Sequence, residues 1–257
     1  MLNFTIDLAK KAGEIILSEK KKLVVEKKSR REIVTNADIA AENYITSRIL
    51  EKYPNHHILG EESFIKTQDY QHSADLWIID PIDGTTNFAQ GLTEYGVSVG
   101  YYHNLAPVVG VIYFPEKNMF FSSQISRGAY LNGNKIHVSN KKDMKDAVLG
   151  SLFSYDTDEN MIIFDISKKL YREIKTIRFF GSAVLDICFV AQGTLDGTVG
   201  YALKPWDTAA AYLIVKEAGA VVTTLKGRPW NIFEKELLVA NKFIHPQLVN
   251  FFTQILP

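Results

Sequence analysis

The stretch WIIDPIDGTTNF, residues 77–88, places Asp80 and Asp83 directly after an apolar run. That run, residues 76–79, is short, β-branched and aromatic, which predicts a buried strand ending at Asp80. A buried carboxylate is costly unless a positive charge pairs with it, yet residues 73–92 contain no Lys or Arg. A bound cation is the simplest counter-charge, and ligands that are all oxygen favour Mg²⁺ or Mn²⁺ over zinc.

The same stretch continues into a turn suited to phosphate. Gly84 and Thr85 follow the second aspartate and predict the start of a helix with a threonine cap. Free backbone N–H groups at a helix start bind phosphate. Acids beside such a start therefore predict a site in which a metal ion bridges protein carboxylates and a phosphate group.

Further acids stand at the ends of other predicted elements, and each also has a structural interpretation. Asp38 lies three residues after Thr35, in the position that completes a capping box at the start of a helix. Asp207 precedes a helical pattern and could cap it. Glu61 and Glu62 could belong to a polar loop. The residue types alone leave both interpretations open at each position.

Three other signals favour structural roles. GVSVG, residues 96–100, matches the G-x-S-x-G nucleophile elbow, but it lies within alternating, β-rich sequence and lacks a following helix. His56 and His57 are adjacent, so their side chains point in different directions, and we predict a polar loop. Cys188, the one cysteine, lies in apolar sequence and predicts a buried structural thiol.

Composition limits the classes of function. The chain has 257 residues, of which 46% are hydrophobic, and Lys+Arg equals Asp+Glu at 29 each. A net charge of zero provides no general attraction for nucleic acid or membranes. A single cysteine excludes an internal disulfide. The sequence shows no signal-peptide pattern and no apolar run of the roughly 20 residues that span a membrane. We therefore expect a soluble, cytoplasmic protein.

The elements that must position these acids follow from periodicity. Helices are predicted at the N-terminus and over residues 35–54, followed by a strand-rich region with a hairpin turn at Asn132-Gly133. After about residue 147, strands and helices alternate. We predict a single domain with two halves, residues 1–147 and 148–257. The basic run Lys20–Arg31 predicts a solvated hairpin arm, or an arm from which one lysine reaches an anionic substrate.

Three segments together resemble the inositol monophosphatase family: GEES at 60–63, WIIDPIDGTTNF at 77–88 and WDTAAAYLIVKEAGA at 206–220. Their order and spacing match across nearly the whole chain. The resemblance implies an α/β (α+β) fold, a layered αβαβα sandwich of the type shared with fructose-1,6-bisphosphatases. It also implies a homodimer with Mg²⁺-dependent, lithium-sensitive phosphomonoesterase activity.

The resemblance assigns the metal ligands by position. Glu61, Asp80 and the backbone carbonyl of Ile82 resemble ligands of a first Mg²⁺, and Asp80, Asp83 and Asp207 resemble ligands of a second. Two or three Mg²⁺ ions per site are implied, with Mn²⁺ as a substitute. Oxygen-only ligands suit both ions.

The other roles also follow from the resemblance. Gly84 and Thr85 correspond to the phosphate cradle, and Asp38 with Thr85 resembles the pair that orients the attacking water. Metal ions lower the pKa of water and hold the attacking and leaving oxygens during in-line displacement. Asp83 and Ala183 match positions beside the substrate.

One position departs from the inositol branch. The residue seven positions before the last metal-binding Asp is Glu in that branch and contacts ring hydroxyls, whereas here it is Gly200. We expect Gly200 to leave an open volume beside the leaving group. The substrate is then a small phosphate ester of unspecified identity: inositol phosphate, fructose 1,6-bisphosphate, NADP, histidinol phosphate or 3′-phosphoadenosine 5′-phosphate.

A second hypothesis concerns binding rather than catalysis. Some bacterial members of the family act as partners of the transcription machinery independently of catalysis. The basic run Lys20–Arg31 could serve that role. Every implied metal-ligand position is nevertheless filled, which favours an enzyme. No direct contact with nucleic acid and no membrane partner are expected.

Overall fold

The computed structural model describes residues 1–65, 69–153 and 157–256. The helices are α1 Leu2–Glu19, α2 Asn36–Lys52, α3 Thr85–Ala89, α4 Thr157–Leu170, α5 Ala183–Ala191, α6 Ala209–Glu217 and α7 His245–Ile255. The strands are β1 Val25–Lys27, β2 Ile33–Thr35, β3 His57–Gly60, β4 Asp75–Asp83, β5 Gly96–His103, β6 Ala106–Phe114, β7 Met119–Gln124, β8 Ala129–Leu131, β9 Asn134–Ile136, β10 Val148–Phe153, β11 Thr176–Arg178, β12 Gly197–Tyr201, β13 Val221–Thr223 and β14 Leu237–Ala240.

Two main sheets lie on either side of a helical layer. The first has the order β3-β4-β5-β6-β7-β8-β9, and the second has the order β11-β10-β12-β14-β13. Helices α1 and α2 cover the outer face of the first sheet, α5 and α6 pack between the sheets, and α4 and α7 cover the second. This order of layers confirms the expected αβαβα fold. Among the described residues, no helix has the length and apolar character of a membrane span.

Local signals account for most elements. Thr35 and Asp38 form the predicted capping box at the start of α2, and Asn132-Gly133 joins the antiparallel strands β8 and β9. The predicted hairpin arm is the antiparallel pair β1–β2. Strands β11 and β12 were not predicted, because β11 has only three residues and β12 includes two glycines. Their partners in the sheet make them strands.

The glycines of the predicted strand region allow helix α6 to approach the first sheet. GVSVG lies within β5, so the elbow motif is absent there. An added Cβ at Gly110 on β6 would lie 2.4 Å from the Ala210 carbonyl oxygen. The Tyr102 hydroxyl on β5 donates a hydrogen bond of 2.9 Å to the Ala209 carbonyl. The sheet therefore holds the first turn of α6, directly after Asp207.

Of the two histidines that were predicted in a polar loop, only His56 lies in one, because His57 begins β3. His56 is nevertheless half-buried and stacks between Tyr53 and Tyr101, and its Nδ1 accepts a hydrogen bond of 3.0 Å from the Trp77 indole. The sequence interpretation missed this packing because Trp77 and Tyr101 come from β4 and β5, which are distant in the chain. Cys188 is fully buried on α5, as predicted.

Candidate active site

A cavity of about 990 Å³ contains nearly all the predicted site residues. Its lining combines the acidic turn after β3, the end of β4, the start of α3, the start of α5 and the turn before α6. The predicted residues that line it are Glu61, Asp80, Ile82, Asp83, Gly84, Thr85, Ala183 and Asp207. The fold therefore brings together residues from both sheets and from the helical layer between them.

A bulge at the end of β4 directs two acids to this cavity. The sequence predicted that this strand ends at Asp80, but it continues to Asp83. Side chains three positions apart on a regular strand point to opposite faces. Here Asp80 pairs with Ser98 and Asp83 pairs with Gly96, so β4 has one more residue than β5 over this interval. This irregularity lets both carboxylates face the same space.

Asp80 is a buried acid in the lining of the cavity. Only 2% of the residue is exposed, and its Oδ1 atom has no hydrogen-bond partner among the described residues. Burial, followed by the nearby charges of Glu61 and Asp83, raises the pKa of Asp80 well above its usual range. An unpaired buried carboxylate requires a positive partner or a proton.

Asp83 is held by the start of α5. Its Oδ1 accepts a hydrogen bond of 3.1 Å from the Ala183 amide, and its Oδ2 accepts one of 3.2 Å from the Val184 amide. The Ser182 hydroxyl also donates to Oδ2. Burial raises the pKa of Asp83 to about 6, although these donors favour the charged form. Ser182 was missed in the sequence because its contact with Asp83 is not local.

Asp207 reaches the cavity from the turn between β12 and α6. It ends a 3₁₀ turn, Pro205–Asp207, and its Oδ2 accepts a hydrogen bond of 2.8 Å from the Lys204 amide. It does not cap α6, because the N-cap residue of that helix is Thr208. Burial raises the pKa of Asp207 well above its usual range, and Asp83 and Glu61 raise it further.

Asp38 does not line the cavity itself, and its two carboxylate oxygens make separate contacts. Its Oδ2 accepts from the Thr35 amide at 2.9 Å, which completes the capping box. Its Oδ1 accepts from the Thr85 hydroxyl at 3.1 Å, across to the start of α3. Burial raises the pKa of Asp38 to about 6. The capping and catalytic interpretations are therefore compatible, since the two carboxylate oxygens serve different partners.

Thr85 was predicted to cap α3, but it does not. Gly84 is the N-cap residue, with a φ of 88°, and an added Cβ there would lie 2.7 Å from the Glu94 carbonyl oxygen. This close approach in a left-handed conformation requires glycine. The Thr85 hydroxyl is instead shared between Asp38 and the Ile82 carbonyl, which lies 2.9 Å away.

The acidic turn after β3, which contains Glu61 and Glu62, is held by Lys28 and Glu42. The sequence interpretation left the role of the lysines on the hairpin arm open and missed Glu42. Lys28, on the hairpin arm, forms ion pairs of 3.0 Å with Glu61 and 2.6 Å with Glu62. Glu42, one turn after Asp38 on α2, is buried and accepts from the amides of Glu62 at 3.0 Å and Ser63 at 2.8 Å. Helical spacing from Asp38 was the available signal for Glu42.

We expect Glu42→Ala to weaken activation by Mg²⁺, because two backbone N–H groups lose their acceptor and the Glu61 turn loses its anchor. The half-saturating Mg²⁺ concentration should rise about tenfold, which corresponds to about 1.4 kcal/mol. Titration of phosphate release with Mg²⁺ measures this. Glu14→Ala, on the exposed face of α1, is the control. An unchanged Mg²⁺ dependence in Glu42→Ala would contradict the role.

The donor set fits a hard divalent cation. Across the described ranges, no three His, Cys, Asp or Glu side chains are already arranged as a formed metal centre. Carboxylate residues and Ile82 nevertheless line one cavity, and Asp80 contributes a buried oxygen with no hydrogen-bond partner in the described part of the chain. Burial and mutual repulsion raise the pKa of Asp80 and Asp207. A divalent cation would relieve both costs.

The substrate side differs from the sequence expectation. Ala183 lines the cavity, but Gly200 does not and lies buried within β12. An added Cβ at Gly200 would lie 2.6 Å from the Leu203 Cδ1 atom and 3.3 Å from the Leu152 Cβ atom. The expected open volume is wrong, because the Leu203 side chain occupies that space. Leu203 and Leu152 line the cavity in its place.

Comparison with known proteins agrees with this geometry. The sequence profile of the inositol monophosphatase family matches residues 1–256. The chain is 35% identical to a fructose-1,6-bisphosphatase/inositol-1-monophosphatase of Thermotoga maritima over 99% of this chain and 96% of that protein. It is 39% identical to the Nus factor SuhB of Vibrio cholerae, over 88% and 86% respectively.

A solved structure shows the same architecture. The extragenic suppressor protein suhB from Bartonella henselae superposes with a TM-score of 0.88 at 31% sequence identity, and the match covers 98% of each chain. The similarity therefore includes both sheets and all the elements that line the cavity.

Proposed function

Since the chain belongs to the inositol monophosphatase family, we propose that it is a Mg²⁺-dependent phosphomonoesterase acting on a small sugar or nucleoside phosphate. Family membership supports a phosphatase, and the arrangement of acids supports the metal dependence. The observation that carries the proposal is the convergence of Glu61, Asp80, Asp83 and Asp207 on one cavity. One buried oxygen of Asp80 also lacks a hydrogen-bond partner within the ranges that the structure describes.

We assign the metal ligands to Glu61, Asp80, Asp83, Asp207 and the Ile82 carbonyl. Mg²⁺ bound there would lower the pKa of a water and neutralise charge on the phosphoryl group. Ser182 and the start of α5 fix the orientation of Asp83. Lys28 balances the charge of the Glu61 turn before substrate binds.

We assign the orientation of the attacking water to Thr85 and Asp38. A hydroxyl has one proton, so Thr85 donates either to Asp38 or to the Ile82 carbonyl. In both cases its oxygen keeps lone pairs that can accept a hydrogen bond from water. In the arrangement in which Thr85 donates to Asp38, the hydroxyl can take a proton from the attacking water while its own proton passes to Asp38. Gly84 and Thr85, which line the cavity, are the proposed phosphate contacts.

A test of this function is phosphate release across sugar phosphates and nucleotides with and without Mg²⁺. We expect activity with Mg²⁺, partial activity with Mn²⁺, and inhibition by Li⁺ as the family resemblance implies. Excess EDTA should abolish release, and added Mg²⁺ should restore it. Full activity in EDTA, or a requirement for Zn²⁺, would show that the oxygen ligand set has been misassigned.

A second candidate function is regulatory, because one relative is a Nus factor. The exposed, lysine-rich hairpin arm around β1 and β2 supports it. Binding to purified bacterial RNA polymerase, compared between the wild type and a variant with Lys21, Lys22 and Lys27 changed to Ser, tests this role. The resemblance also carries the proposal of a homodimer, which sedimentation of the purified chain tests.

A further inference from the structure

The serine of GVSVG lies on the strand next to Asp80. Ser98 is fully buried on β5, and its hydroxyl has no hydrogen-bond partner within the described ranges. Asp80 pairs directly with Ser98 across β4 and β5, and its Oδ1 atom is likewise without a partner there. Unpaired buried polar atoms are uncommon and cost free energy, so two of them on directly opposed residues require an explanation.

Both side chains are on the face of the sheet that meets the helical layer. Residues two apart on a strand share a face, so Asp80 shares one with Ile78, and Ser98 shares one with Tyr102. Ile78 and Tyr102 both belong to the core between the two sheets. Directly opposed residues on one face have Cβ atoms about 4.5–5.5 Å apart. A serine rotamer directed toward β4 therefore brings the hydroxyl within reach of the Asp80 carboxylate.

The other neighbours of Ser98 in the sheet offer no acceptor side chain. On the far side of β5, Ser98 pairs with Ile112, which has no polar side-chain atom. Two positions away along β5 in either direction are Gly96 and Gly100, which have no side chain. Among its described neighbours in this sheet, Asp80 is therefore the one side chain that can accept the hydroxyl proton.

We propose that Ser98 is a positioning residue for the metal site: its hydroxyl donates to the Asp80 carboxylate and fixes the rotamer in which that carboxylate faces the cavity. The inference rests on the proposed Mg²⁺-dependent function. Ser98 does not line the cavity, so it acts through Asp80. A carboxylate oxygen has two lone pairs, so it can accept from Ser98 and still serve a cation. Removing such a partner of a metal ligand typically weakens metal binding about 10–100-fold.

The test is the dissociation constant of Mn²⁺, measured without substrate from the electron paramagnetic resonance signal of the free ion. Ser98→Ala should raise this constant about tenfold or more. Ser98→Thr, which keeps the hydroxyl, should bind Mn²⁺ nearly as tightly as the wild type. An unchanged constant in Ser98→Ala would overturn the proposal. An equal loss in both variants would overturn it too, because the side-chain volume and not the hydroxyl would then matter.

Thermal unfolding in EDTA gives an independent readout. Ser98→Ala should unfold at the wild-type temperature or a higher one, because the hydroxyl that it removes has no hydrogen bond to lose in the described part of the chain. A purely structural role predicts the reverse pattern, in which Ser98→Ala unfolds at a lower temperature and binds Mn²⁺ like the wild type. That pattern would overturn the proposal.

Ser123→Ala is the matched control. Ser123 is a buried serine of the same sheet, on β7, but its hydroxyl already donates to the Gly128 carbonyl at 3.0 Å. Ser123→Ala should therefore lower the unfolding temperature and leave Mn²⁺ binding unchanged. If it weakened Mn²⁺ binding as much as Ser98→Ala does, any lost serine in this sheet would disturb the site, and the specific role of Ser98 would fail.

Because binding is measured without substrate, this inference and the phosphatase function fail separately. If Ser98→Ala weakens Mn²⁺ binding but the wild type hydrolyses no ester, the phosphatase function fails and the positioning role stands. If the wild type hydrolyses esters with Mg²⁺ but Ser98→Ala binds Mn²⁺ equally well, only the positioning role fails. A wild type that binds no Mn²⁺ would overturn the metal assignment and this role with it.

Discussion

Asp207→Asn is expected to lower kcat by more than about 10²–10³-fold. That range is the usual effect of removing one preorganised electrostatic group, and weakening a metal site should cost more. The fold should be unaffected. The amide oxygen of Asn can still accept the hydrogen bond from the Lys204 amide, which holds the carboxylate at 2.8 Å.

Asp83→Asn is expected to cause a similar loss of turnover and, in addition, a loss of stability. Its two oxygens accept from the amides of Ala183 and Val184 and from the Ser182 hydroxyl. An amide NH₂ group in that place would face a donor, which costs about 1–3 kcal/mol when buried. We therefore expect a lower unfolding temperature for Asp83→Asn than for Asp207→Asn, because the start of α5 anchors Asp83 and not Asp207.

Asp186→Asn is a matched control for both variants. Asp186 is fully buried on α5, but it does not line the cavity. Burial raises its pKa well above the usual range, so its ionisation opposes folding once the pH exceeds the unfolded value of about 4. We expect activity near that of the wild type and higher stability at neutral pH, with the gain vanishing at low pH.

More than a tenth of wild-type kcat in Asp207→Asn would contradict the assignment of Asp207 as a metal ligand.

Thr85→Ala is expected to lower kcat about 10²–10⁴-fold and to change KM little, because the hydroxyl orients water in the transition state rather than binding substrate. Asp38→Asn should act in the same direction, since Asp38 accepts the Thr85 hydroxyl at 3.1 Å. Steady-state kinetics with any hydrolysed ester measure both parameters.

Stability separates the two roles of Asp38. Its other oxygen accepts from the Thr35 amide, so Asp38→Asn also perturbs the capping box at the start of α2. Thr35→Ala is the control, because it removes the cap and leaves the contact between Asp38 and Thr85. If Thr35→Ala unfolds at a temperature similar to that of Asp38→Asn but keeps a nearly normal kcat, the rate loss in Asp38→Asn comes from the contact between Asp38 and Thr85. A large rate loss in Thr35→Ala would assign it to the helix start instead.

Much of the site could be predicted because its signals are local. The strand that carries Asp80 is a continuous apolar run, and the capping box at Thr35 and Asp38 spans four residues. Oxygen ligands without nearby cations predicted a metal, and the motif order indicated the family. These features depend on neighbouring residues, whose conformational preferences are expressed in the sequence itself.

The tertiary structure alone decided how these acids are held and what lies beside them. The bulge that directs Asp83 to the cavity, its clamp by Ser182, and the Lys28 bridge all join residues far apart in the chain. The same is true of Leu203, whose side chain closes the space beside Gly200. Such contacts depend on strand register and on close packing between layers, where displacement by one residue would exchange the faces of a strand. Local sequence determined which acidic groups the candidate site contains, and packing between distant segments determined which side chains line the cavity beside them.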